Sequence, residues 1–216
     1  MYMNSNITIY DKLIIYFYAA RKLVRGFLTK PFLKRSKGFL FIGKRVSITH
    51  SKHIVCGKNV KFEDYCEIHG LSSEGLLFGD NVTIGRYSEI RPSSYYGVGE
   101  IGKGLVIGYN SSIGPNAYIG CSGKIQIGNN VMIGPKCSMF AENHNFLEKN
   151  KDIKYQGVNQ RGIIIEDNCW IGSNVIILDG VKIGTGSVIG AGAIVTKSIP
   201  KNTIFIDKQN AFLRER

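Results

Sequence analysis

From Ile165 onward an aliphatic residue returns at every sixth position: Ile165, Ile171, Ile177, Ile183, Ile189 and Val195. Four residues after each stands Cys169, Val175, Val181, Ser187, Ala193 or Ile199, mostly small or β-branched. The same spacing links Ile101, Ile107, Ile113 and Ile119, then Ile127 and Ile133. Earlier echoes are Ile42 and Ile48, then Cys56, Phe62 and Ile68, then Phe78, Ile84 and Ile90. An α-helical stripe recurs at three and four, and a half-buried strand at two. A period of six predicts a coil of three short strands joined by tight turns, the six-residue β-helix repeat. On each face the aliphatic side chain points inward, and its smaller partner fills the space near a corner. Gly172, Gly184 and Gly190 directly follow their aliphatic residue and are expected to relieve crowding and permit unusual turn dihedrals. Successive coils pair in parallel at about 4.8 Å, each supporting its neighbours. A β-sandwich of many short strands has no reason to repeat six matched pairs in succession. The period leaves the handedness of the coil open.

Breaks in the pattern fall after Ile68, Ile90 and Ile119, where short loops should bulge from corners. The longest break, residues 141–163, reads AENHNFLEKNKDIKYQGVNQRGI and is polar and mixed in charge. A long loop on a rigid scaffold is a natural place for function. The division expected is a basic amphipathic helical segment over 1–40, a β-helix over 41–200 with its excursion at 141–163, and a tail over 201–216. Leu13, Phe17, Ala20, Val24 and Phe27 can share one face of the amino-terminal helix, which Pro31 should stop or bend. Such a helix either caps the open end of the stack or lies on an anionic membrane.

Charge sharpens that second reading. The formal net charge is +12. Lys12, Arg21, Lys22, Arg25, Lys30, Lys34, Arg35, Lys37, Lys44 and Arg45 crowd the start of the chain, with Asp11 the only acid among them. A local basic patch points to an anionic membrane surface or an anionic substrate. The apolar run Leu13–Ala20 is too short to span a bilayer and lacks a cleavage site, so neither a transmembrane helix nor a signal peptide is expected. The five cysteines form no close-spaced ligand cluster, and with no secretory segment they suit a reducing, cytoplasmic setting. No recognition helix or aromatic-basic motif supports nucleic-acid binding.

Of the four histidines only His144 sits in the long loop, flanked by Glu142, Asn143 and Asn145. Histidine accepts a proton near neutral pH, and a carboxylate or carbonyl can fix its tautomer. On the residues alone, His144 is either a base or surface. The segments IGNNVMIGPKCSMFAENHNF and IIIEDNCWIGSNVIILDGVKIGTGSVIGAGAIVTKSIP strongly resemble the hexapeptide-repeat acyltransferases, especially the sugar O-acetyltransferase branch with its maltose, galactoside and polysaccharide members. The resemblance implies a left-handed parallel β-helix, all-β apart from the short amino-terminal helix. It also implies acetyl transfer from acetyl-CoA to a sugar hydroxyl, and a homotrimer with active sites between subunits.

Carried over residue by residue, the resemblance makes His144 the general base with Glu142 as its orienting partner. It places Asn116 and Asn143 with the acceptor, and Trp170, Ser173, Gly190, Ala191, Gly192, Thr196 and Lys197 along acetyl-CoA. Direct transfer is expected, because Cys137 and Cys169 occupy inward positions that explain them as small buried residues. No metal is expected: a β-helical carbonic anhydrase needs paired histidines that the stack lacks. The tail KNTIFIDKQNAFLRER departs from the family's G-x-P-A-like turn, leaving Arg214 and Arg216 as candidates for the cofactor phosphates. The basic, apolar leader resembles the lipopolysaccharide, O-antigen and capsule members, working on a sugar, nucleotide-sugar or lipid-linked glycan at the inner face of the cell membrane. The alternatives are a serine or nucleotide-amino-sugar acetyltransferase, or a non-catalytic β-helix scaffold.

Overall fold

The structure, a computed structural model, describes residues 4, 6–92 and 101–207. It is a left-handed parallel β-helix preceded by one helix. Three parallel sheets of seven, eight and seven strands form the faces of a triangular prism. One coil shows the plan: Ile125–Ile127 lies on the first face, Met132–Ile133 on the second and Ser138–Phe140 on the third. The next coil lays Ile163–Ile165, Trp170–Ile171 and Ile176–Leu178 directly upon those strands in parallel register.

The six-residue period is the interior of this prism. Ile165, Ile171, Ile177, Ile183, Ile189 and Val195 are all buried, as are Cys169, Val175, Val181, Ser187 and Ala193 beside them. Burying each large aliphatic side chain stabilises the fold by about 1.5–3 kcal/mol. One inward assignment is corrected. Ile101 is 47% exposed, and Leu105 occupies the inward position that opens its coil. Residues 102–104 still belong to the connection between coils, so the hexad restarts later than the spacing suggests.

Of the two roles expected of the glycines, the unusual dihedrals are corrected and the relief of crowding holds. Left-handed backbone falls two residues further on, at columns of corner residues. Asn59, Asn81, Asn110, Asn130, Asn168, Gly186 and Asn202 turn the chain from the first face to the second. Arg45, Tyr65, Tyr87, Asn116, Lys136, Asn174 and Gly192 turn it from the second to the third. Asparagine tolerates this conformation better than most residues, and Asn81 Nδ2 also donates to Asn110 Oδ1 at 2.8 Å. Gly172 and Gly184 relieve crowding by permitting close approach. A Cβ on Gly172 would lie 2.6 Å from Ala191 N, and one on Gly184 2.5 Å from Lys201 N.

The breaks in period all open at the remaining corner, between the third face and the first. The long excursion and the shorter loops therefore share one edge of the prism.

At the base, α1 spans Ile9–Thr29. Thr8 and Asp11 form a reciprocal capping box at its start, and a short 3₁₀ turn at Lys30–Phe32 containing Pro31 ends it. The helix rests on the strand Leu40–Ile42 through Gly26, where a Cβ would stand 1.7 Å from the Leu40 carbonyl oxygen. Lys22 pairs with Glu63, and Arg25 Nη1 donates to Ile42 O at 3.1 Å. The apolar stripe takes no part in this contact: Leu13, Phe17, Ala20, Val24 and Phe27 remain exposed. Among the described residues no helix is long and apolar enough to cross a membrane.

Candidate active site

His144 lies in the strand Asn143–His144, which pairs antiparallel with Val158–Asn159. The excursion is thus a small ordered β-ribbon. Its organiser is Gln156, only 8% exposed amid a polar loop. Gln156 Oε1 accepts from Glu148 N at 3.0 Å, while Nε2 donates to Glu148 O at 2.9 Å and Lys151 O at 2.7 Å. The ribbon continues where Asn145 N donates to Gly157 O at 3.0 Å. Asp179 anchors the returning chain by accepting from Gly162 N at 2.7 Å and Arg161 N at 3.0 Å. One amide side chain thereby supplies the partners that a neighbouring coil supplies elsewhere.

His144 is exposed and borders a concave cavity of about 300 Å³, shared with Asn143, Phe146, Glu148, Gln156 and Asn159. Asn143 therefore stands beside the histidine. Glu142 is half-buried, and among the described residues no hydrogen bond joins it to His144. Its charge bears on Tyr118 instead. Burial raises the Tyr118 phenol above its ordinary value, Arg91 opposes this, and Glu89 and Glu142 add to it. Tyr118 also packs on Phe140, with ring centroids 5.6 Å apart.

The other candidates lie elsewhere on the prism. Asn116 is an exposed corner residue with φ 57°, its backbone N–H donating to Arg86 O at 2.8 Å. Trp170 projects from the second face, 54% exposed, in register with Met132 below and Val188 above. That face is opposite the corner from which the His144 ribbon springs. Ser173 and Gly192 meet at the corner between the second and third faces, where Gly192 N donates to Ser173 O at 2.8 Å. Gly190 and the exposed Ala191 complete that turn. Thr196 and Lys197 are exposed at the far end of the last third-face strand, Ile194–Val195. The structure thus gathers Ser173, Gly190, Ala191 and Gly192 at one corner, and His144 with Asn143 and Glu142 at another, with Trp170 and Asn116 apart.

The architecture and its repeat meet in one comparison. Residues 162–197 match the model of the family described as bacterial transferase hexapeptide (six repeats). Over those residues the coils are similar to those of the hexapeptide-repeat transferases. The galactoside O-acetyltransferase of Lactococcus lactis subsp. lactis is 36% identical over 122 residues, 56% of this chain and 56% of its own. That of Escherichia coli K12 is 37% identical over 134 residues, 61% of this chain and 62% of its own. The chain spans little more than half the length of the curated relatives it matches. AntD, an N-acyltransferase from Bacillus cereus solved with dTDP and 3-hydroxybutyryl-CoA, shares the fold. Its TM-score is 0.56 at 20% identity, over 85% of this chain and 83% of that one.

The cysteines are structural in setting. Cys137 Sγ donates to Gly172 O at 3.0 Å and Cys169 Sγ to Gly184 O at 3.3 Å. Burial pushes both thiols above their ordinary value, which disfavours the nucleophilic thiolate. His50 and His69 stack edge to face at 5.0 Å, yet among the described residues no group of three metal-ligating side chains converges. Arg214 and Arg216 lie outside the described residues. Sequence reasoning missed Gln156 and Asp179. Gln156 carries no periodic signal, whereas the Asp179-Gly180 turn directly after a hexad strand was a readable one.

Proposed function

We propose that this chain transfers an acetyl group from acetyl-CoA to a sugar hydroxyl, with His144 as the general base. The observation that carries the reading is the placement of His144: a solvent-accessible imidazole on an ordered ribbon, at the rim of a concave cavity. An alcohol is a weak nucleophile, so a positioned base must remove its proton as the oxygen attacks. His144 takes that proton and returns it to the departing thiolate sulfur, so no acyl-enzyme is required. Glu142 adds negative charge beside the site, and Asn143 and Asn116 are the candidates for holding acceptor hydroxyls.

Acetyl-CoA would supply the activated thioester carbonyl. The residues present suit it. A Cβ at Gly192 would meet nothing within 4 Å, so the corner is open to a ligand approaching the backbone. Exposed Lys197 offers a point charge for phosphate, and Trp170, Ser173, Gly190, Ala191 and Thr196 border the same last coils. His144 and Trp170 open on opposite sides of one prism, which favours a homotrimer whose sites form between subunits. The exposed basic helix favours a lipid-linked glycan of lipopolysaccharide, O-antigen or capsule type, acetylated at the inner membrane face.

The test uses labelled acetyl-CoA with free sugars, nucleotide-sugars and lipid-linked sugars as separate acceptor pools. Transfer to the lipid-linked pool is expected. Transfer to free sugars alone would leave the acetyltransferase reading and remove the surface-glycan one. No transfer to any pool, with His144→Ala indistinguishable from the parent, would sink both.

A further inference from the structure

The helix meets the stack by a narrow edge, and beside that edge the two diverge. The space between them is a groove of about 500 Å³, within the usual range of small-molecule sites. Leu23, Val24, Phe27 and Leu28 form the helix wall, and Phe39 and Leu40 form the opposite wall from the first coil. Phe27 is 76% exposed and Phe39 61%. Proteins rarely leave so contiguous an apolar surface uncovered.

Charge around the groove narrows what can cover it. Lys30 lines the rim and donates from Nζ to Gly38 O at 2.7 Å. An ammonium has three donors, so this one is held in place with two left for an anion. Lys34, Arg35 and Lys37 are exposed on the segment leading to Gly38, and no acid lies between Lys12 and Lys37. A second copy of this surface would bring like charges together. An apolar chain ending in a phosphate satisfies the wall and the rim at once. The rest of the helix agrees: Leu13, Phe17 and the amphipathic Tyr10, Tyr16 and Tyr18 are exposed along it, as in helices that lie in a bilayer interface.

We propose that this groove binds one acyl chain of an anionic membrane phospholipid, with Lys30 meeting its phosphate. The inference rests on the membrane-facing part of the reading above and adds to it a stoichiometric site.

The experiment uses the full chain and lysophosphatidylglycerol, a single-chain probe, below its micelle-forming concentration. Native mass spectrometry counts bound lipid, and flotation on phosphatidylglycerol vesicles is run in parallel. One saturable lipid per chain is expected. Phe39→Glu and Leu28→Glu, one from each wall and both at exposed positions, should each weaken it at least tenfold, and Lys30→Gln should weaken it less. Leu13→Glu, outside the groove, should reduce flotation and leave the monomeric lipid bound. Flotation without saturable lipid, or lipid binding by both wall variants equal to the parent's, overturns the groove and spares the membrane reading. Loss of both signals overturns the two together. A lipid-free assembly that dissolves in Phe39→Glu would assign the groove to a second copy and overturn the lipid.

Discussion

The coil stack and the excursion at residues 142–162 solve one problem in opposite ways. Every buried backbone amide needs a partner. In the stack the partner is the next coil: Gly128 N donates to Ile165 O, and Met132 N to Cys169 O. Side chains are released from that duty, so they are free to obey a period. In the excursion no coil lies alongside, and the side chain of Gln156 closes the loop on Glu148 and Lys151. Regularity makes the stack stiff and redundant. The ribbon that carries His144 depends on a few polar contacts, each open to deletion.

The largest difference should appear in activity. His144→Ala is expected to lower kcat by about 10²–10⁴-fold, the usual worth of a positioned acid–base group, while the unfolding midpoint and acetyl-CoA affinity stay close to the parent's. Steady-state kinetics beside thermal unfolding makes the check, and near-parental turnover would remove the histidine from the mechanism.

In the stack the order of effects reverses. Ile84 is fully buried, so Ile84→Ala should cost about 2–5 kcal/mol of stability. Leu147, 84% exposed on the excursion, should change stability by no more than about 0.5 kcal/mol when replaced by Ala. Denaturant unfolding of the two variants measures both, and equal losses would erase the contrast.

Gln156→Ala sharpens it further. The unmade hydrogen bonds should destabilise the ribbon by about 1–3 kcal/mol. Amides between 143 and 159 should exchange faster, turnover should fall, and the coils should keep their protection. Hydrogen exchange that quickens evenly through coils and ribbon would mean that the two regions open as one.

The smallest effect concerns acid. Hydrogen bonding from Lys182, followed by that from Thr185, holds the Glu166 carboxyl down at about 2, against 4.5 ordinarily. Its stabilisation is present above pH 4.5 and is lost as pH falls through about 2. Because the half-buried carboxylate and the exposed Lys182 are screened by solvent, Glu166→Gln should lower stability only slightly at neutral pH and make the acid limb less steep. An unchanged acid limb would show that the pair contributes nothing.

Much of the fold was legible because one repeat dictates one packing environment. Ile165 through Val195 had to share an interior, and their small partners had to sit where the prism narrows. The spacing misplaced Ile101, because a hexad cannot report that residues 102–104 still belong to a connection. It also assigned Gly172 and Gly184 turn dihedrals that they do not adopt, while the relief of crowding expected of them holds, against a coil eighteen or so residues later. The candidate site was legible only in part. His144 stood out as the lone histidine of an aperiodic segment, but nothing local marks Gln156 as the side chain that orders it.

By itself, then, the chain determined the period, most of the inward residues, the points along it where loops leave and the basic apolar helix at its start. These are local properties of residue type and spacing. Tertiary structure decided which side of that helix meets the stack, because Gly26 allows a backbone contact that no larger residue permits while the apolar stripe turns outward. It also decided that His144 and Trp170 open on opposite sides of one prism, a relation set by the three-fold turn of the coil and invisible to any count along the sequence.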